Sequence, residues 1–202
     1  GCAWLGRDPE RQVALAQPDL PGIAALTAAP RRYGFHATLK APMRISAPAA
    51  LVERAIEVLA RRLPAFPLPP LTVRVLDGFL ALTATARSPA LRDLADACVF
   101  SLDDWRVPDA AERARRARGL GAEERAMLER WGYPYAFGSW HFHMTLSERL
   151  PEAAEAAMRE AALRHFAPAL TLPRRVTEIA LFREEEPGAD FRLVRRFPLR
   201  GG

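Results

Sequence analysis

Hydrophobic and polar residues alternate along two short stretches of the chain. In residues 33–40, which read Y-G-F-H-A-T-L-K, the polar positions 36, 38 and 40 are separated by apolar ones. In residues 140–147, which read W-H-F-H-M-T-L-S, the polar positions are 141, 143, 145 and 147. Because successive side chains of a strand point to opposite faces, both stretches are predicted to be strands with one polar and one apolar face.

The first predicted strand is followed by a helix and a hairpin. Apolar residues recur with the helical period of 3.6 over Ala49–Leu63. Beyond a proline-rich bridge, Leu71–Leu76 and Phe79–Thr85 are predicted to be strands joined by the turn sequence Asp77-Gly78. The pattern therefore predicts a strand, a helix and a hairpin, in that order.

The second predicted strand is followed by the same elements. A helix is predicted from Pro151 to His165, and a bridge that contains Pro168 and Pro173 comes after it. Strands are then predicted over Val176–Arg183 and Phe191–Leu199. A repeated order of elements indicates a duplicated unit.

The repetition predicts how the chain is organised. We expect one bilobal domain over residues 1–202, with one lobe over residues 30–102 and the other over residues 139–200. Residues 103–132 are predicted to be an insert of two helices between the lobes. Four arginines follow one another closely in this insert, and a solvated helix face explains them better than a nucleic-acid surface does, because no aromatic residues are interleaved with them.

Composition places the chain among globular proteins. Half of its residues are hydrophobic, and no apolar run is long enough to span a membrane, so we expect a cytoplasmic protein without membrane contact. Cys2 and Cys98 are too few for a disulfide framework or a zinc site. A net charge of +5 suits an anionic ligand. Nucleic acid is not favoured as a partner, however, because the arginines alternate with acidic residues.

The tetrapeptide His-x-Thr-Leu occurs once in each predicted strand. A single copy would be weak evidence, but the chain has only four histidines, and two of them occupy equivalent positions. His36 with Thr38, and His143 with Thr145, would each present an imidazole and a hydroxyl on one strand face. Two such faces turned toward each other would form a symmetric phosphate site.

Other residues on or near these faces are candidates for the same site. Lys40 is the only lysine of the chain, and it shares the face of His36, where it could contact a phosphate. His141, Tyr133, Tyr135 and Trp140 precede or begin the second strand and could line a substrate pocket, although packing in the core explains them equally well. No group of residues has the spacing of metal ligands, and no cofactor is predicted.

Three strings of residues resemble a known family. R-Y-G-F-H-A-T-L-K-A-P, W-G-Y-P-Y and F-H-M-T-L are similar to sequences of the 2H phosphoesterase superfamily, and most closely to its DUF1045 branch, which is associated with phosphonate metabolism. The likeness extends from Trp4 to the last predicted strand. In that family a strand normally precedes the region of Trp4, and this sequence does not contain it.

The resemblance implies a fold and a reaction. The fold would be α+β, with two antiparallel sheets related by a pseudo-two-fold axis around a central cleft and with helices outside. The protein would be a hydrolase, a metal-independent cyclic phosphodiesterase acting on a ribose cyclic phosphate or a related small phosphorylated intermediate of phosphonate breakdown. His36 and His143 would serve as general acid and base, and Thr38, Thr145 and Lys40 would hold the phosphate.

Two alternatives stay open at this stage. One is a phosphodiesterase for RNA or nucleoside 2′,3′-cyclic phosphates. The other belongs to a different class, a non-catalytic binder of a phosphorylated ligand or of RNA. The sequence assigns neither the acid nor the base among the two histidines, and it does not indicate the oligomeric state.

Overall fold

The chain folds into helices and short strands, described here for residues 1–201 of a computed structural model. The helices are α1 (Cys2–Leu5), α2 (Ile23–Leu26), α3 (Ala28–Tyr33), α4 (Ala49–Arg62), α5 (Pro89–Leu102), α6 (Ala110–Arg116), α7 (Ala122–Trp131) and α8 (Glu152–Leu170). The strands are β1 (Arg7–Asp8), β2 (Val13–Ala14), β3 (Arg44–Ile45), β4 (Phe66–Leu68), β5 (Leu71–Leu76), β6 (Phe79–Ala84), β7 (Arg106–Val107), β8 (His143–Arg149), β9 (Arg174–Val176), β10 (Glu178–Arg183) and β11 (Arg192–Pro198). Single turns of 3₁₀ helix cover Asp103–Trp105 and Phe137–Ser139.

The residues group into two units by their contacts. The first unit comprises residues 1–37, 67–87 and 142–196, and the second comprises residues 38–66, 88–141 and those from Phe197 on. The lobes predicted from the sequence rest on repetition along the chain, whereas these units rest on spatial contacts, so the predicted lobe boundaries stay a prediction.

The largest sheet lies in the first unit and has the strand order β5-β6-β8. Both neighbouring pairs are antiparallel. Asp77 and Gly78 join β5 to β6 with positive φ angles of 46° and 85°, as expected for the two-residue turn that suits a hairpin. The mixed α+β class and this hairpin are confirmed. The prediction of two sheets is too simple, because the strands form one three-stranded sheet and several two-stranded ones.

The pairing of β6 with β8 contains an irregularity, and Ser147 provides a hydrogen-bond acceptor there. Ala81 is opposite Thr145 and Phe79 is opposite Arg149, so β8 has two more residues than β6 over this interval. The backbone N–H of Leu80 donates a 2.9 Å hydrogen bond to Oγ of Ser147, which is almost fully buried. A buried amide therefore keeps a partner where the regular ladder is interrupted.

The apolar face of this sheet forms the core of the first unit. Leu80, Leu82 and Leu146 of the sheet pack with Met158 and other residues of α8. Trp4 belongs to the same core, and its Nε1 donates a 2.8 Å hydrogen bond to the carbonyl oxygen of Leu146. This packing places the opposite, polar face of β8 away from the core.

Helix α4 of the second unit begins and ends close to its predicted limits, Ala49 and Leu63. α4 buries Val52, Ile56 and Leu59 along one side, which confirms the periodic pattern. α5 begins after Ser88, whose Oγ accepts a hydrogen bond from the N–H of Leu91 at 3.3 Å.

The prediction of a strand at residues 33–40 is wrong. α3 continues to Tyr33, and Gly34, with φ of 78°, ends it. The residues from 34 to 42 are irregular, and the next strand, β3, begins at Arg44. Alternation reports which side chains are apolar, but a strand also needs a neighbour with which its backbone can pair.

Two other predicted elements change their bounds. The second alternating stretch does form a strand, β8, but it covers His143–Arg149, so His141 lies before it. The predicted helix after Pro151 continues beyond His165 to Leu170 and contains Pro168. Pro168 is close to the C-terminal end, where the loss of one backbone hydrogen bond costs less than it would in mid-helix.

Candidate functional site

A pocket of about 310 Å³ lies in the first unit beside the polar face of β8. This volume is at the lower end of the range for small-molecule sites, roughly 300–1,000 Å³. One wall comes from α3 and the residues after it, and the other comes from β6 and β8. The lining residues are Ala29, Pro30, Tyr33, Gly34, His36, Phe79, Thr145, Ser147, Glu148 and Arg149.

Strand β8 contributes a row of polar side chains to this side of the sheet. His143, Thr145 and Arg149 are opposite Thr83, Ala81 and Phe79, respectively. Residues directly opposite each other in antiparallel strands share a face. Thr145 and Arg149 line the pocket, and the ring of His143 lies 6.1 Å from that of Phe79.

His36 reaches the pocket from the irregular segment after α3. Its Nδ1 lies 2.9 Å from the carbonyl oxygen of Gly34. Since a carbonyl oxygen only accepts, Nδ1 donates, and Nε2 is the nitrogen without a proton in the neutral ring. The ring of His36 also lies 6.2 Å from that of Tyr33 and 5.8 Å from that of Phe182.

The surroundings of His36 favour its neutral form. Burial lowers the pKa of His36 below its usual value, and the positive charge that His143 can carry lowers it further. The hydrogen bond to Gly34 acts in the opposite direction but does not outweigh burial. The two predicted histidines are therefore close enough to influence each other electrostatically.

A buried hydroxyl lies across the sheet from His143. Thr83 is 8% exposed, and its Oγ1 has no hydrogen-bond partner within residues 1–201. Thr83 pairs with His143 in the register of β6 and β8. Its position adds a hydroxyl to the polar side of the sheet, next to the histidine.

Lys40, predicted to contact phosphate, belongs to the second unit and is bound there to a carboxylate. Its Nζ donates to Oδ1 of Asp103 at 2.8 Å and to the carbonyl oxygen of Val99 at 3.3 Å. Burial lowers the pKa of Lys40, although Asp103 acts to raise it. Its predicted contact with phosphate stays a prediction.

Thr38 and the aromatic candidates are also in the second unit. The indole Nε1 of Trp140 donates a 2.9 Å hydrogen bond to the carbonyl oxygen of Thr38. Tyr133 contacts Tyr135 edge to face at 5.6 Å. Nδ1 of His141 lies 2.9 Å from the carbonyl oxygen of Ser139. The roles predicted for these five residues in substrate or phosphate binding stay predictions.

Three residues of the pocket have site chemistry but were not among the candidates predicted from the sequence. Arg149 continues the series of alternate positions 143, 145 and 147, so the period of two could have identified it. Tyr33 was expected to lie in a strand, yet it lines the pocket from the end of α3. Phe79 comes from the hairpin, and only the pairing of β6 with β8 brings it to this place.

The described part of the chain contains neither a cluster of metal ligands nor a membrane span. Within residues 1–201, no three His, Cys, Asp or Glu side chains are grouped as metal ligands would be. None of the helices in that range combines the length and the apolar character that crossing a bilayer requires.

Residues 38–192 match the family described as "Protein of unknown function (DUF1045)". A protein of Janthinobacterium sp. (strain Marseille) named ribose 1,5-bisphosphate phosphokinase PhnN is 39% identical over 216 aligned positions, which cover 100% of this chain and 47% of that protein. A protein of the same name from Laribacter hongkongensis (strain HLHK9) is 40% identical over 199 positions, 96% of this chain and 47% of the relative. The chain thus spans about half the length of the curated relatives it matches.

These names correct the predicted reaction. The chain was expected to be a hydrolase for cyclic phosphodiesters, with an RNA or nucleoside phosphodiesterase as the alternative. The relatives are named phosphokinases, which transfer a phosphoryl group and belong to a different reaction class. The names concern the reaction and no residue, so the roles predicted for His36 and His143 stay predictions.

Proposed function

Since the chain belongs to the DUF1045 family, we propose that it binds a phosphorylated ribose, as one part of a ribose 1,5-bisphosphate phosphokinase. The observation that carries the proposal is the pocket of the first unit, where an imidazole and a hydroxyl meet two aromatic rings. The names of the two relatives supply the ligand class. A binder of phosphorylated ligands was one of the alternatives that the sequence left open.

The lining residues suit the two chemical parts of such a ligand. Tyr33 and Phe79 offer apolar surface for the carbon skeleton of the sugar. The hydroxyl of Thr145 can donate to a phosphate oxygen. His36, whose Nδ1 donates to the carbonyl oxygen of Gly34, adds an imidazole to the lining that a ribose would contact.

We infer in addition that the fold is of the 2H phosphoesterase type, an inference about architecture and not about the reaction. It is supported by the order of elements, because α4 and α8 are each followed by three strands. β4 and β9, the first strand after each of these helices, pair with each other, as equivalent strands near a two-fold axis can do. The association with phosphonate metabolism belongs to the same proposal.

Calorimetric titration of the 202-residue chain with ribose 1,5-bisphosphate, ribose 5-phosphate and ribose tests the proposed function. We expect binding of the phosphorylated sugars that weakens in His36→Ala and in Thr145→Val. Loss of one hydrogen bond of about 1 kcal/mol corresponds to roughly a fivefold weaker affinity. If neither phosphorylated sugar produces a heat of binding, the proposal is contradicted.

Thr85→Val is the matched control for Thr145→Val. Thr85 follows β6, is exposed and does not line the pocket. It therefore undergoes the same chemical change without touching the ligand. Equal losses of affinity in both variants would mean that the pocket is not the binding site.

A further inference from the structure

Arg149 is a charged residue of the pocket whose side chain forms no ion pair within the described part of the chain. It is the last residue of β8, is exposed, and lines the pocket together with His36 and Thr145. Within residues 1–201 its guanidinium has no carboxylate partner and no hydrogen-bond acceptor. An arginine with five donors is thus available at the edge of a cavity of ligand size.

Three other charged residues of the first unit have partners within the protein. Glu148, the other charged residue of the pocket, accepts a 2.9 Å hydrogen bond from the N–H of Ala29 through Oε1. Arg7 pairs with Asp190, and Arg32 pairs with Glu184. Burial keeps His36 mainly neutral by lowering its pKa. Arg149 therefore contributes the positive charge that an anionic ligand would meet in this pocket.

The side chain of Arg149 lies against the hairpin turn. Arg149 is paired with Phe79, the residue directly after Gly78. A Cβ atom on Gly78 would lie 3.0 Å from Nη1 and 3.2 Å from Cγ of Arg149, so the side chain runs closely across the glycine. The N–H of Leu150 donates a 2.7 Å hydrogen bond to the carbonyl oxygen of Gly78, which fixes the backbone beside it.

We propose that Arg149 binds the phosphate group of the ligand and makes the pocket select phosphorylated ribose over ribose itself. The inference rests on the proposed function and adds the residue that determines specificity. The ligand class is a phosphomonoester, whose negative charge and pairs of terminal oxygens can accept two parallel hydrogen bonds from a guanidinium. Thr145, on the same face, would bind a further oxygen of the same phosphate.

The test compares ribose 5-phosphate with ribose in four forms of the chain: unsubstituted, Arg149→Gln, Arg149→Lys and Arg159→Gln. Affinity for each sugar is measured by calorimetry or by ligand-observed NMR. Arg149→Gln is expected to weaken binding of ribose 5-phosphate roughly 10- to 100-fold, the loss of a charge-assisted contact, and to leave ribose unchanged. Arg149→Lys should restore part of the loss, because a lysine keeps the charge without the bidentate geometry.

Arg159→Gln is the matched control. Arg159 is exposed on α8 in the same unit and does not line the pocket, so the variant has the same change in net charge. Its affinity should stay within about twofold of the unsubstituted chain, since distant surface charges are screened. Because both arginines are exposed, the variants should fold, and circular dichroism verifies this.

The possible results separate this inference from the proposed function. If the unsubstituted chain binds ribose 5-phosphate and Arg149→Gln binds it equally well, the proposed function stands and the role of Arg149 is wrong. An equal loss in Arg159→Gln overturns the role as well, because it indicates an effect of overall charge. If the unsubstituted chain binds neither ribose 5-phosphate nor ribose 1,5-bisphosphate, the proposed function fails, and the inference fails with it.

Discussion

Glu148 and Ala29 are joined by a 2.9 Å hydrogen bond between a carboxylate oxygen of β8 and a backbone N–H in the first turn of α3. The free N–H groups of a first helical turn favour a negatively charged acceptor. The contact connects the strand that contains His143 and Thr145 to the helix that leads into His36. The side chain of Glu148 thereby links the two walls of the pocket.

Replacing Glu148 should affect both the fold and the pocket. Glu148→Ala removes the acceptor and is expected to lower the free energy of unfolding by about 1 kcal/mol and to weaken ligand binding. Glu148→Gln keeps an acceptor oxygen and should lose less stability and less affinity for the ligand. Urea unfolding and calorimetry measure the two effects. Equal behaviour of the two variants would mean that the contact is not what positions α3.

Asp103 is the centre of a charged cluster in the second unit. It is 9% exposed and accepts hydrogen bonds from Lys40 at 2.8 Å and from Arg106 at 3.0 Å. Asp103→Asn would leave three cations, Lys40, Arg106 and Arg130, without their shared carboxylate and should cost about 3 kcal/mol of stability. The additional replacement Lys40→Met should recover part of that loss. A double-mutant cycle by chemical unfolding measures the coupling, and additive losses would contradict it.

The lowered pKa of Asp103 predicts how the free energy of unfolding depends on pH in the acid range. Burial alone would raise its pKa, but hydrogen bonds from Arg106 and Lys40 outweigh burial, so the folded pKa lies below the usual value. The unfolded chain then binds the proton first as the pH falls below about 4. The stability contributed by Asp103 is present above that pH and is lost on acidification. Unfolding curves between about pH 5 and pH 3 should show a smaller decline in Asp103→Asn.

The lowered pKa of His36 predicts a second change in the free energy of unfolding, at a higher pH than that of Asp103. Because burial lowers its pKa in the folded chain, the unfolded state binds the proton first as the pH falls below about 6.5. The unsubstituted chain should therefore lose stability between that pH and the folded pKa. His36→Asn lacks this contribution. The free energy of unfolding of the two proteins is measured at about pH 7.5 and pH 5.5. The unsubstituted chain should lose more of it than the variant on going to the lower pH. A difference that stays the same at both pH values would contradict the prediction.

Gly78 is expected to tolerate alanine less well than another glycine with a similar backbone. Gly78 has φ of 85°, and an added Cβ would press against Arg149. Gly188 has φ of 91° with no atom within 4 Å of the added Cβ, so Gly188→Ala reports backbone strain alone. Strain costs about 1 kcal/mol in both variants. The extra loss in Gly78→Ala, together with weaker binding of ribose 5-phosphate, measures the contact with Arg149. Identical stability and binding in the two variants would show that the contact has no role.

Local sequence determined the elements whose causes are local. The period of 3.6 in α4 and the Ser88 cap of α5 depend on residues within a few positions of each other. The same is true of the Asp77-Gly78 turn, which accepts the positive φ angles that its hairpin needs. Helix α4 and the Asp77-Gly78 turn were predicted close to their observed positions. The repeated His-x-Thr-Leu likewise identified both histidines as candidates from the sequence alone, because a short motif is visible without knowledge of its spatial neighbours.

Tertiary structure decided what depends on partners distant in sequence. The segment of His36 has the alternation of a strand but forms none, because pairing needs a free edge that the alternation does not report. Phe79 and Arg149 lie 70 positions apart and meet only through the register of β6 with β8. Lys40 shares the polar pattern of His36, yet its charge is bound to Asp103, 63 positions away. Sequence determined which side chains could do chemistry, and long-range pairing determined which of them line one pocket.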